Sequence, residues 1–438
     1  MRNGLILLAL STTLSLGCGD SDDPGNPSEC PATGTGVLEL TVRGLPAATQ
    51  PRITLRRGME SRVIVTGGRL EGLAAGAWTL TPEPVAGSGG LIRAAFDAPE
   101  AQVCVRDAQA AASTVDYALI PSSQKLWLST SNGAAEVEAF AAANLGASGS
   151  PAATVLLSSN PAVPRASGLA FDARGNLWMA LGSGELRRYP ARDLGASGAK
   201  TPDVVLTGTA LKGGTPGPIA IAFDAQGNLW ATIGFSNKVI RLGSAQLTST
   251  TTVVPEVELA GLGDPAGLAF DPSGNLWVGD SSSGRSRVHK VAAESLRASG
   301  TVTPVTSIDA KTTLPSGNSF TGPSGLAFDG EGNLWVAYSG SGIVARLTPD
   351  NQRGTGEVTL APTVQLDVGG PRELAFDETG GLWLGYESGS IARLGPSQLA
   401  ATGAPSPAVL VSSADLGLTH GVALYPAPAR LPLFHRLP

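Results

Sequence analysis

With 438 residues, 42% of them hydrophobic and only 15% charged, the chain is long enough to bury one large core or two ordinary ones. A net charge of −6 and a pI near 5.2 give no basic footprint, which argues against nucleic acid as a partner. Glycine (57) and proline (32) exceed a fifth of the chain without a collagen period, which fits an all-β fold rich in turns; disorder is the alternative, and regular Trp spacing argues against it.

The first residues read as an export signal: Arg2, an apolar run from Leu5 to Leu10, then LSLGC at 14–18. This resembles the lipobox of bacterial lipoproteins, with Gly17 in register and Ser15 and Leu16 as departures. The resemblance implies loss of residues 1–17, an acyl (palmitate-type) chain on Cys18, and an address in the cell envelope. Gly19 stands where an Asp tends to mean inner-membrane retention, which points to the outer membrane in a cell that has one. An ordinary signal peptide or an uncleaved anchor is the alternative. The apolar run is too short for a standard transmembrane helix. Residues 18–35, polar and rich in Gly, Pro and Asp, read as a flexible tether. The remaining cysteines, Cys30 and Cys104, would meet an oxidising compartment, where a disulfide is the natural pairing and two free thiols the alternative.

Residues 36–120 alternate short strands with turns. Runs at 37–42, 52–57, 62–66, 77–82, 91–96, 102–106 and 114–119 predict about seven strands, several with one apolar face, hence a small β-sandwich of two packed sheets. GLAAGAWTL at 72–80 resembles the turn-and-strand motif of carboxypeptidase regulatory-like domains, whose usual role is that of a spacer or adhesion unit.

From residue 121 to 438 one pattern recurs: GLAFDARGNLW ending at Trp178, AIAFDAQGNLW at Trp230, GLAFDPSGNLW at Trp277, GLAFDGEGNLW at Trp335 and ELAFDETGGLW at Trp383. Each reads as a β-hairpin in which an apolar strand, an Asp-initiated turn with Gly, and a Trp-bearing return strand follow one another. The Asp residues fall at 172, 224, 271, 329 and 377, a period near 50 that with several strands per unit marks a β-propeller. A third strand, a polar connector and a fourth strand follow each hairpin. Six third strands, six fourth strands and six hairpin Trp residues, Trp127 included, predict six blades. GVALY (421–425) matches the inner strand but lacks a Trp hairpin, whereas KLWLS (125–129) has the Trp without a clear inner partner; pairing the C-terminal strand with the first blade would close the ring. The rival is a seventh, partial blade, because YALIP (117–121) also aligns with GLAFD.

The repeat resembles the NHL family and its relatives, among them streptogramin lyases and regucalcin-related lactonases. That resemblance implies the fold, with ligands at one mouth of the central channel, and it fixes no activity. The residues leading into the inner strands are mostly small; Arg372, Glu373 and His420 break that rule in adjacent repeats, and with Arg165 and Asp264 they form the best polar cluster the alignment offers. Loops after the Trp strands add Asp280, Tyr338, Tyr386 and Glu387. His420 beside Glu373 is the candidate catalytic pair, able to shuttle a proton, and a salt-bridged rim without a ligand is the plainer reading. THGV at 419–422 resembles the His-bearing lead of streptogramin lyases, which also tend to carry an acid three residues past the Trp to help bind Mg2+; here only Asp280 of five such places is acidic, so no metal centre is assigned. The recurrent Asp residues read as turn formers and the Trp residues as core wedges.

The sequence therefore predicts a monomeric, lipid-anchored envelope protein using a β-propeller as a binding or scaffolding platform for an envelope protein or a small ligand, without a cofactor. The competing class is a metal-dependent lyase or lactonase, with Mg2+ or Ca2+, at the channel mouth.

Overall fold

The structure is a computed structural model that describes residues 30–437 apart from 132, 134, 164–165, 213–216, 283–285, 315–319 and 434–435. The leader, Cys18 and Arg165 lie outside the described residues. The chain divides into two compact units, one formed by Met1–Thr41, Ile53–Thr81 and Glu100–Val115, the other by Val42–Arg52, Pro82–Pro99 and Asp116–Pro438.

The first unit has two sheets. One orders Gly68–Ala74, Thr35–Arg43 and Ala110–Asp116; the other orders Glu60–Ile64, Ile53–Arg57, Gly76–Pro82 and Ala101–Val105. Period-two alternation buries Leu38 and Leu40 from the first sheet and Ile53, Leu55, Trp78 and Leu80 from the second. Cys30 and Cys104 form a disulfide with Cα atoms 5.6 Å apart. The strand Gly68–Ala74 escaped the sequence reading because most of it is exposed and lacks alternation. The strand expected at 91–96 is shortened to Ala95–Asp97 and belongs to the second unit, in a small sheet with Val85–Ala86 and Ala118–Leu119. That placement also takes YALIP out of contention as an inner strand.

Among the described residues, six further sheets make up the second unit's propeller. Their inner strands are Ala166–Phe171, Pro218–Phe223, Pro265–Phe270, Pro323–Phe328, Pro371–Phe376 and Leu418–Tyr425, taken below as blades 1 to 6. Each neighbours the next, and blade 6 neighbours blade 1. Blade 6 is assembled from both ends of the segment: Leu418–Tyr425 pairs antiparallel with Lys125–Ser131, placing Trp127 opposite Ala423 and Leu128 opposite Val422. The inner strands approach too closely at Gly168 and Gly325 for a side chain there. A Cβ on Gly168 would stand 2.8 Å from the Ile219 carbonyl, and one on Gly325 2.8 Å from the Glu373 Cα.

Trp residues wedge neighbouring blades together. Trp178, Trp230, Trp277 and Trp335 meet Phe223, Phe270, Phe328 and Phe376 of the following blade edge-on at 5.8–6.3 Å between ring centroids, and Trp127 meets Phe171 likewise at 6.0 Å. At the sixth junction Trp383 packs in a cluster with Leu424, which stands in the Phe place. Behind five of the six wedges the turn Asp is fully occupied, while the Trp127 indole donates to the Ser122 carbonyl at 2.8 Å. In blade 2, Asp224 Oδ1 accepts the backbone N–H groups of Gln226 and Asn228 at 2.9 and 3.0 Å, while Oδ2 accepts the Asn228 amide and the Trp230 indole, both at 2.9 Å. Blade 5 solves the same problem differently: Gly381 replaces the Asn, and Arg393 enters the vacated space to bond Asp377 Oδ2 at 2.6 Å.

The polar connectors form clasps between blades. Gly198–Lys200, Thr251–Thr252, Gly300–Thr301 and Gly356–Leu360 each pair parallel with the outermost strand of the preceding blade, and single bridges at Gly403 and Gly149 complete the circuit. The hydroxyl residue just ahead of each of five clasps has a defined task. Ser197, Thr250, Ser299, Thr402 and Ser148 accept backbone N–H groups of Leu156, Val205, Glu258, Gln365 and Leu410 at 2.9–3.1 Å. These edge N–H groups would otherwise be open to strand addition.

Candidate functional site

The inner strands surround a cavity of 140 Å³ whose wall is Leu, Ile, Val, Ala and Phe, broken by one acid, Glu373. Glu373 occupies the third place of its strand, where blades 1, 3, 4 and 6 have Gly and blade 2 has Ala. Those missing side chains leave room for the carboxyl. Its accessible surface faces the lumen it lines, and Oε1 accepts the Leu374 N–H at 3.2 Å. Burial pushes the carboxyl up to about 8, against the opposing pull of that N–H and of the Arg372 guanidinium. At neutral pH the group is therefore mainly an uncharged donor and acceptor. The other end of the lumen, beyond the Phe ring, is lined by Pro428, Leu431, Pro432 and Leu433 of the C-terminal tail.

The candidates at the mouth fall into separate pairs. Arg372 forms an ion pair with Glu387, and His420 Nε2 shares a hydrogen bond with Ser131 Oγ at 2.8 Å. Glu373 and His420 lie on neighbouring inner strands, one facing the lumen and the other tied to the edge of blade 6. Tyr386 is buried in the core cluster of blade 5, which pushes its phenol far above the ordinary range; Tyr338, fully buried against Phe320, behaves alike.

Asp280 is a structural hub. It is 4% exposed and accepts the Asp264 N–H at 2.9 Å, the Ser282 N–H at 2.9 Å and the Ser282 hydroxyl at 2.5 Å. His289 Nε2 lies 3.3 Å from its Oδ2, and His289 Nδ1 reaches Ser307 Oγ at 2.8 Å. Burial opposes the charge, but the bonds from His289, Ser282 and Asp264 outweigh it and hold the carboxyl at about 2. Asp264 in turn accepts the Phe235 N–H at 3.0 Å.

That last contact exposes a residue the alignment overlooked. Phe235 is 68% exposed with φ of 54°, a left-handed backbone that a bulky residue adopts only at a cost. It follows the Trp strand of blade 2, whose Ile233 pairs with Pro218 at the start of the inner strand, so the residue sits on a loop at this mouth. The sequence signal was GFSN, an aromatic where the corresponding loops hold Gly, Ser and Glu. Among the described residues, no three His, Cys, Asp or Glu side chains gather in a metal-binding group.

Six sheets wedged by Trp, five of them turned by Asp, define a β-propeller. A family model described as NHL repeat matches residues 262–291, which hold the inner strand, the Asp271 turn and the next two strands of blade 3. Among solved structures the chain is similar to a streptogramin B lyase at 15% identity, with 53% of this chain and 66% of that chain covered and a TM-score of 0.34, so it spans just under two thirds of that protein. It is similar to a catalytically inactive virginiamycin B lyase from Staphylococcus aureus with quinupristin (13% identity, 80% and 95% covered, TM-score 0.35). It is also similar to a protein of unknown function from Bacteroides caccae (12% identity, 68% and 97% covered, TM-score 0.44). None of the curated proteins matches this chain. Likenesses this distant carry no activity across.

Proposed function

We propose that this is a lipid-anchored cell-envelope protein whose propeller is a binding platform, taking a small, mainly apolar ligand through the mouth rimmed by Phe235 and into the lumen. The lumen wall carries the reading: apolar side chains from six strands with a single neutral carboxyl among them. A cavity of 140 Å³ is close to engineered cavities that take up benzene. Such a wall suits a ring or short chain bearing one hydroxyl or amide, because one polar anchor fixes orientation while the apolar contacts supply affinity. Acylation at Cys18 would keep that capture at the membrane, and mass spectrometry of the N-terminal peptide tests it.

The ligand reading is tested by the melting temperature of the mature chain with p-cresol and with toluene, its counterpart lacking the hydroxyl. Both should raise the melting temperature, p-cresol more, and Glu373→Leu should erase the difference between them. No response to either compound would refute the reading. Mg2+ and Ca2+ belong in the same screen. A rise with either ion that Glu373→Gln abolishes would favour a metal-dependent lyase or lactonase, for which the supporting observation is that Glu373 and His420 sit on neighbouring inner strands.

A further inference from the structure

The hairpin Ile53–Ile64 of the first unit presents an unusual tip. Arg57 pairs with Glu60 across a two-residue turn, Gly58 and Met59, with Gly58 at φ of 56°. Met59 is fully exposed, Val63 in the strand that follows is 51% exposed, and Val65 just past its end is 47% exposed. That strand is the edge of its sheet, so nothing in the sheet covers its outer side. Arg56 and Arg62 flank the tip, both exposed, and neither joins an ion pair among the described residues. The acid nearby is Glu60, half-buried at the turn. An apolar finger set between unpaired arginines is matched to an anionic interface whose interior is apolar.

The covalent path of the chain says which interface. Arg57 Nη1 donates to the Ala75 carbonyl, the Ala75 N–H donates to the Gly34 carbonyl at 2.9 Å, and the adjoining Ala77 pairs with Cys104. Cys104 holds Cys30 by the disulfide, so the hairpin tip and the point where the N-terminal segment is pinned share one end of the sheet. Cys30 lies twelve positions after Cys18, a span of at most about 43 Å when extended. An acyl chain on Cys18 would thus hold this end of the unit within reach of the bilayer.

We propose that the Arg56–Val65 hairpin is a second membrane contact, inserting Met59 at the headgroup level of an anionic phospholipid surface while Arg56 and Arg62 meet its phosphates. The proposal rests on the lipid-anchor reading for its geometry but has its own readout. The contact binds an anionic surface without the anchor, and tethering adds to it by making the second binding event intramolecular.

The test uses the mature chain, residues 18–438, carrying Cys18→Ser so that no lipid contributes. Its sedimentation with vesicles of phosphatidylcholine alone is compared with vesicles containing about a third phosphatidylglycerol. Binding to the anionic vesicles only, weakened about fivefold by Arg56→Gln and again by Arg62→Gln, and lost with Met59→Asp, is the expected result. Raised salt should weaken it further. Arg192→Gln and Arg353→Gln, at exposed arginines of the other unit, should leave it unchanged. All these positions are at the surface, and unchanged far-ultraviolet circular dichroism verifies folding. Equal binding to both vesicle types, no binding to either, or indifference to the hairpin variants overturns the proposal, as does concentration-dependent dimerisation abolished by Met59→Asp, which would make the edge a contact between copies. An unacylated Cys18 in cells would sink the anchor reading, while the vesicle result would still decide the hairpin.

Discussion

Glu373 should make the propeller less stable as pH rises. Its folded carboxyl sits near 8 against an ordinary 4.5, so below 4.5 it is protonated in both states and costs nothing. Between 4.5 and 8 the unfolded chain ionises while the folded chain holds its proton, and stability falls by about 1.4 kcal/mol per pH unit. Above 8 both states are charged and the loss levels off, at a total of order 5 kcal/mol. Glu373→Gln is neutral throughout and should match the parent at pH 4 but exceed it by several kcal/mol at pH 9. Urea titrations followed by Trp fluorescence suit the measurement, because six of the seven Trp residues lie in the blades. Every other titrating group is common to both proteins and cancels in the difference. Parallel stability curves for the two proteins across pH 4 to 9 would refute the buried, protonated carboxyl, and with it the neutral anchor in the lumen.

Asp280→Asn should destabilise the chain by about 1–3 kcal/mol at pH 7 by weakening its bonds to His289 and Ser282; because its carboxyl is held near 2, the parent loses this contribution only as pH falls from 3.8 through 2, visible in acid titrations. Gly381→Asn restores the residue used in blades 1 to 4, yet it should cost about 1–3 kcal/mol because Arg393 occupies the space, and adding Arg393→Ala should recover part of that loss in a double-mutant cycle. Trp335→Ala, opening the wedge against Phe376, should cost about 3–5 kcal/mol by urea denaturation. Reduction of Cys30–Cys104, or Cys104→Ser, should lower the first unit's stability by about 2–4 kcal/mol, measured by hydrogen exchange of its strands.

The blades were legible because each is punctuated by residues whose roles are local. Asp begins a turn, Gly bends it, and Trp opens the return, so five copies fix the inner and second strands to within a residue. The clasps were not legible, since strands as short as GAK, TT and GT have no hydrophobic period, and what they pair with lies in another blade. Site residues divided along similar lines. The position of Glu373 among glycines could be read directly from the aligned repeats. Asp280 looked like a mouth residue because an alignment places it after the Trp but cannot say that His289, across the next strand, turns it inward. Phe235 carries no charge and stands outside the polar pattern of the mouth; its mark is an aromatic ring on a left-handed backbone.

The seam at blade 6 has a consequence for biogenesis. Lys125–Ser131 leaves the ribosome early, but the strand that covers its edge, Leu418–Tyr425, is synthesised almost three hundred residues later. Throughout that interval, up to completion of the fifth sector, Lys125–Ser131 keeps a bare row of amide and carbonyl groups that any passing strand can add to. A nascent chain of this design calls for a holding chaperone until its last segment arrives, and a premature stop just upstream of Leu418 should send the product to proteolysis instead of leaving a shorter working protein.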